Sequence, residues 1–456
     1  MAPRYVPIDR NTPLLLPPDL RDWLPEDHLA HFVVEALDAL AMEGARVNER
    51  GTGDAQYPPR MMLGLLCYAY ATGVFSSRQI ERATYTDVAM RYLSGDTHPD
   101  HDTLCTFRRR NGALLEQAFV GVLRLAQEMK FLKVGRIAVD GTKVAANASK
   151  HSAVSYKRAG EKIEQLEMEV AQLLRKAEEA DRTPLEDGLS VPGEIARRQD
   201  RIGRLEAARA AIEQRAKERA QRERVRRDAK RVERAERRAR GERVGGREPQ
   251  EPRETPEPSD QHNFTDPQSR IMKAGSGDHF EQAYNAQAAV DIDSRLIVAQ
   301  RVSDQPNDKE QLAPTVKALP KEVGGDLREV LADSGFASEA AIREVECDGG
   351  PTVLAAVERT SHHRTVEDLE RREDPPEPPP EAPRLERMRW RLRTRAGKAL
   401  YKLRQQTVEP VFGIVKEVMG FRRFRLRGLA RVNVEWTWVC LAYNLKRLHR
   451  LQRAVA

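Results

Sequence analysis

Apolar residues recur at helical spacing through the first part of the chain. In HLAHFVVEALDAL (28–40), Leu29, Phe32, Val33, Leu37 and Leu40 fall on one helical face. PPRMMLGLLCYAYATGVF (58–75) is apolar on every side, the pattern of a helix enclosed in a core. SSRQIERATYTDVAMRYLSG (76–95) sets Ser76 and Gln79 at capping-box spacing and continues as two short helical patterns resembling a helix-turn-helix. DHDTLCTFRRRN (100–111) then brings Arg108, Arg109 and Arg110 near the start of a further helix. Residues 1–130 therefore read as a helical, DNA-binding domain, and an ordinary bundle with a solvated arginine cluster gives the same pattern.

The texture changes at Lys133. VGRIAVDGTKVAA (134–146) predicts a buried strand, RIAVD, that ends on Asp140 at a glycine turn, within a core segment starting at 131–155. From 156 to 240 the chain is charged, with one helical stripe at Ile163, Leu166, Val170 and Leu173 and another at Ile195, Ile202, Leu205 and Ile212. A break at 181–193 separates them, which predicts a helical hairpin or short coiled coil. Residues 241–262 have the composition of a disordered linker. Strand texture resumes over 263–360. A hairpin is predicted in 283–303 around Asp291–Ser294, a strand LREVLAD ends on Asp333, and GPTVLAAVE (350–358) is one more strand. A proline-rich spacer occupies 361–384, and residues 385–456 form a basic helical end whose last helix carries Trp436, Trp438 and Tyr443. Strands interrupted by helices and one large helical insertion give a mixed α/β core. Polar residues near its strands, Asp266, Asn285, Gln287, Asp291 and Asp308, are assigned to turns and capping.

Composition narrows the class. The 456 residues exceed what one compact core usually holds. Lys plus Arg is 77 against 70 for Asp plus Glu, a net charge of +7; with 32% charged residues, clustering matters more than the sum. Basic clusters favour nucleic acid or another anionic surface. No apolar run approaches the roughly 18–20 residues of a membrane span. The N-terminus lacks a signal peptide's apolar core, and Cys67, Cys105, Cys347 and Cys440 form no CxxC pair, so a reducing, cytoplasmic setting is expected.

Three acids stand out by position: Asp140 and Asp333 at strand ends, and Glu409 at a helix start. Each alone fits a turn or capping role. Together they offer the oxygen ligands that divalent cations need, carried on separate rigid elements. Between Glu386 and Glu409 there is no acid, but there are Arg387, Arg389, Arg391, Arg393, Arg395, Lys398, Lys402 and Arg404. Thr407 as an N-cap would put Glu409 and Pro410 in a first helical turn. Glu409 and Lys416 would then lie about 20° apart around that helix.

The segments AVDGTKVAANAS (138–149), VLADSGFAS (330–338) and YKLRQQTVEPVFGIVKEVMGFRRFRLRG (401–428) resemble the DDE transposases of bacterial insertion sequences, in the branch with a Tyr-Arg-Glu-Lys signature. The resemblance implies an RNase H-like core in which Asp140, Asp333 and Glu409 hold two Mg²⁺ or Mn²⁺ ions. Tyr401, Arg404 and Lys416 resemble the rest of the signature, which contacts DNA near the scissile phosphate. The family usually has three residues between Arg and Glu; here there are four, Gln405–Val408. On a continuous helix the extra residue turns Arg404 about 100° from its usual face. Arg422, Arg423, Arg425 and Arg427 are expected to hold phosphates, and the N-terminal helices to read bases. The implied partner is double-stranded DNA, both terminal inverted repeats and target, engaged by a homodimer in a bacterial, nucleoid-associated setting. A catalytically inactive DNA-binding regulator derived from such an enzyme is the alternative.

Overall fold

The structure, a computed structural model, describes residues 19–43, 45–46, 55–180, 190–239, 241, 244–245, 248–273, 279–323, 325–356, 373–379 and 381–455. The chain divides into two compact units, one formed by the segments up to Ala145 and from Tyr284 onward, the other by Ala146–Ala283.

The first unit begins with helices α1 (Leu29–Asp38), α2 (Pro59–Ala71), α3 (Ser77–Thr86), α4 (Val88–Leu93), α5 (His101–Arg110) and α6 (Gly112–Glu128). Apolar on every side, α2 is buried from Met62 to Ala71, as its sequence predicts. Asp87 and Asp100 cap α4 and α5, each accepting a backbone N–H. Strand β1 (Arg136–Ala145) follows. It does not end at Asp140 as expected. Gly141 reads as a turn in sequence but lies within the strand, where an added Cβ would lie 2.2 Å from Gln287 Nε2 and would force neighbouring side chains to shift.

In the second unit, β2 (Ala153–Ser155) leads into α7 (Tyr156–Ala180) and then α8 (Val191–Ala239). The two helices pack through Ala159, Ile163, Leu166, Ile202, Leu205 and Ala208, much as the paired stripes predicted. The described part of the segment read as a disordered linker runs back along α8. Arg224 pairs with Glu254 at 2.7 Å, Arg227 with Glu251 at 3.1 Å and Arg219 with Asp260 at 3.0 Å. Composition suggested disorder because these charges are compensated only in three dimensions. The segment ends in β3 (Gln261–Asn263), antiparallel to β2, and β4 (Arg270–Lys273) pairs with the start of β5 (Phe280–Asp291).

The remainder of β5 lies in the first unit. There it forms the predicted hairpin with β6 (Ile297–Ser303), turning through Asp291, whose carboxylate accepts from Ser294. Helix α9 (Leu312–Lys317), strand β7 (Glu329–Ala332), helix α10 (Glu339–Glu346) and strand β8 (Thr352–Ala355) follow. The sheet has the order β4-β5-β1-β7-β8, with β6 on β5; β1, β7 and β8 are parallel and β5–β6 antiparallel. The proline-rich spacer falls partly outside the described residues; within it, Pro375 O accepts from Trp390 Nε1 at 2.8 Å. The chain closes with α11 (Arg384–Arg393), α12 (Arg395–Gly413), a π-helical turn (Ile414–Val418) and α13 (Leu429–Arg453).

Helix α13 ties this unit together. Trp436, Trp438 and Tyr443 are buried on it. Its Asn444 pairs with both the N–H and the C=O of Ile297 at 2.8 Å, and Asn433 accepts from Val302 N at 2.9 Å. Side chains thereby occupy backbone groups of β6 that no further strand pairs. On its other side α13 packs against α2 and α6, where Lys446 donates to Ala71 O at 2.8 Å. The N-terminal helices thus share a core with the sheet.

Candidate active site

Strand pairing sets two of the three acids side by side. Val139 on β1 stands opposite Ala332 on β7, so the next residues along the two parallel strands are Asp140 and Asp333. Asp140 is largely buried and accepts from Gly141 N at 2.8 Å. Asp333 caps the short 3₁₀ turn Ser334–Phe336, accepting from Ser334 N at 2.6 Å. Glu409 projects from α12, which packs on β1, β7 and β8, and its side chain is 57% exposed.

Arg404 joins these elements. Its buried guanidinium lies 3.4 Å from the Asp140 carboxylate and 3.6 Å from that of Glu409, with the carbon 5.9 Å from the Tyr401 ring centre. The expectation that Thr407 starts a new helix at Glu409 is corrected. Thr394 caps α12, which runs unbroken through Arg404 and Glu409 with Pro410 inside it. Thr407 Oγ1 instead donates to Leu403 O at 2.7 Å, a bond back to the preceding turn. The extra residue ahead of Glu409 does not exclude Arg404, because a long guanidinium spans the angular offset between positions five apart on a helix.

Beyond Gly413 the helix widens into the π turn, and Lys416 Nζ donates to Lys143 O at 2.9 Å. The following loop pairs with the second half of β1: Ala145 N donates to Arg422 O at 3.2 Å and Phe424 N to Ala145 O at 2.9 Å. Phe421 and Phe424 are buried, whereas Arg422, Arg423, Arg425 and Arg427 face outward. Arg422 is paired with Glu417. The loop is fixed from beneath by Glu435, completely buried on α13, whose carboxylate accepts from Arg425 N at 3.0 and 2.9 Å and from Leu426 N at 2.9 Å.

The charges here are crowded. Burial pushes the Asp140 carboxyl up to about 6; Gly141 N–H and Arg404 oppose the rise, and the carboxylates of Asp333 and Asp308 add to it. Burial likewise raises the Tyr401 hydroxyl and lowers the Lys143 ammonium. Among the described residues no three His, Cys, Asp or Glu side chains are gathered into a metal-binding group. Arg404 supplies positive charge between the carboxylates of Asp140 and Glu409. Their all-oxygen chemistry nevertheless suits a hard cation such as Mg²⁺.

Arg108 departs from its expected role. It is buried and donates to Tyr70 Oη at 3.1 Å, to Phe75 O at 3.0 Å and to Ser77. Its amphipathic period points it inward, while Arg109 and Arg110 are exposed. Three residues assigned to turns meet at the site instead. Asp308 accepts from Asn285 Nδ2 and Gln287 Nε2, both at 2.7 Å, with Lys143 Nζ at 3.7 Å. Polar residues two apart inside an otherwise buried strand were the available signal.

Residues 253–445 match the family model described as "Transposase DDE domain", and residues 18–110 match "Transposase domain (DUF772)". The chain carries a transposase DDE domain. That domain implies transposase catalysis, hence action on DNA, in a family that typically uses divalent metal ions. The mixed sheet with its N-terminal helices is consistent with a DDE core. The first match begins after Asp140, so this acid joins the domain through the pairing of β1 with β7. Neither the curated proteins nor the solved structures searched contain a match. Among the described residues no helix is long and apolar enough to cross a membrane.

Proposed function

We propose that this protein binds the terminal inverted repeats of its own insertion sequence, cleaves the DNA there, and transfers the freed 3′ ends into target DNA. The observation that carries this reading is the convergence on the mixed sheet: Asp140 beside Asp333, with Glu409 linked to Asp140 through Arg404. In this reading Asp140, Asp333 and Glu409 hold two divalent cations. These, when bound, supply charge neutralisation and a polarised nucleophile for in-line phosphoryl transfer.

The chain's own residues position the DNA. Arg404 exchanges its carboxylate partners for a phosphate near the scissile bond, with Tyr401 stacked against it. Lys416 holds β1 through Lys143 O, three residues beyond Asp140. Arg423, Arg425 and Arg427 track the backbone, contributing salt-dependent affinity without reading sequence. Base reading falls to the exposed faces of α3 and α5, including Arg109 and Arg110. The enzyme acts as a homodimer on paired ends.

The test is nicking of supercoiled plasmid bearing the DNA that flanks the open reading frame, in Mg²⁺ or Mn²⁺. Nicking at the element ends, absent in Asp333→Asn while end binding persists, supports an active transposase. End binding without nicking by either protein assigns a DNA-binding regulator instead.

A further inference from the structure

Asp308 follows β6 in a loop, and its sequence context is that of a turn residue. The side chain does something else. It accepts from two amides far away in sequence, those of Asn285 and Gln287 on β5, and faces the Lys143 ammonium of β1. Asn285 and Gln287 are fully buried. Asn285 Nδ2 also donates to Gln305 O at 3.1 Å, while the amide oxygens of Asn285 and Gln287 have no hydrogen-bond partner and Lys143 Nζ has only its ion pair with Asp308. Unpaired buried polar atoms cost stability, and a strand that only needed to pack would carry apolar residues here.

Two glycines explain the location. At Gly141, next to Asp140, an added Cβ would lie 2.7 Å from Asp308 Oδ1, 2.9 Å from Asn285 Oδ1 and 2.2 Å from Gln287 Nε2. The cluster therefore presses on the backbone immediately after the first acid. At Gly335, two residues beyond Asp333, an added Cβ would lie 3.8 Å from the Cβ of Asp308. One side chain thus neighbours the backbone that follows both acids, closely at Gly141 and with room for a Cβ between them at Gly335. It also neighbours Lys143, whose carbonyl receives Lys416.

We propose that Asp308 is a positioning residue for the transposase site: anchored by Asn285 and Gln287, it fixes the spacing of Asp140 and Asp333 through Gly141 and Gly335. The role rests on the proposed cleavage site and concerns residues outside the three acids and the basic signature. Groups that orient metal ligands from behind commonly change metal affinity or turnover by about 10–100-fold when altered. Asn285 and Gln287 both donate to Oδ1, an acceptor that an asparagine would keep, so Asp308→Ala is the change that removes the anchor. Asn285→Ala removes one of the two anchors and has a smaller effect in the same direction.

The experiment compares the full-length wild type, Asp308→Ala and Asn285→Ala in three measurements. These are Mn²⁺ binding by titration calorimetry, kcat and KM for nicking of end-bearing plasmid, and metal-free binding of end DNA. The expected result for Asp308→Ala is Mn²⁺ affinity and kcat both about 10–100-fold lower, with KM and metal-free DNA binding unchanged. Asn285→Ala falls between that variant and wild type, and it carries the test should Asp308→Ala fail to fold. Wild-type Mn²⁺ affinity and kcat in the variants overturn the positioning role. So does a loss of DNA binding in step with kcat, which marks a general structural defect. A wild type that neither binds Mn²⁺ nor nicks refutes the cleavage site itself, a failure distinct from that of Asp308.

Discussion

Replacing Glu435 by Gln tests whether a buried carboxylate supports the arginine loop. Burial pushes the acid up from 4.5 to about 7, opposed by the Leu426 and Arg425 N–H groups and by the charges of Arg108 and Arg425. The folded chain therefore binds this proton more tightly than the unfolded chain. Its contribution to stability is fully present below the unfolded value and is lost as pH rises through about 7. At about 1.4 kcal/mol per pH unit, that interval amounts to about 3 kcal/mol, on the order of 5 °C in Tm for a unit of this size. The substituted amide would not titrate. Its nitrogen would face one of the two backbone donors, a pH-independent cost of about 1–3 kcal/mol. Glu435→Gln is thus expected to be clearly less stable than wild type at pH 5, with the gap shrinking by about 3 kcal/mol by pH 8. Urea unfolding of both proteins across this range supplies the difference, in which titrations common to both, such as that of Asp140, cancel. Parallel stability curves would refute the reasoning, because they would mean that the carboxylate titrates alike in folded and unfolded chains.

Arg108→Met strips partners from Tyr70 and Phe75 O and should cost about 2–5 kcal/mol of stability, whereas Arg109→Ala should stay within about 0.5 kcal/mol and weaken DNA binding instead; calorimetry and a filter-binding titration separate the two. Neutralising Arg423, Arg425 and Arg427 together should lower the slope of log affinity against log salt by about 3, equally for end and random DNA. With Asp140 held up at about 6, protons compete with a divalent cation below that pH; Mn²⁺ binding should be roughly tenfold weaker at pH 5 than at pH 7.5. Equal affinity at both values would place Asp140 outside the metal site.

Much of this protein is legible along the chain because it depends on local pattern. Periodicity marks the enclosed helix α2, the helices of the second unit and the hairpin of β5 and β6. The segments around Asp140, Asp333 and Glu409 suggest the chemistry before any fold is known, and the family match supports transposase catalysis. Long-range packing decides the rest. Gly141 looks like a turn until Gln287 and Asp308 are seen to need its empty side. Thr407 looks like a cap, yet Thr394 starts a helix long enough to absorb Pro410. Arg108 resembles its two neighbours, but helix phase buries it among Tyr70, Phe75 and Ser77. Asp308, Asn285 and Gln287 converge only through pairing between residues more than twenty positions apart. One sequence specifies the residue types a site needs; which side chains share a desolvated space is settled when distant strands meet and each buried polar group must find a partner.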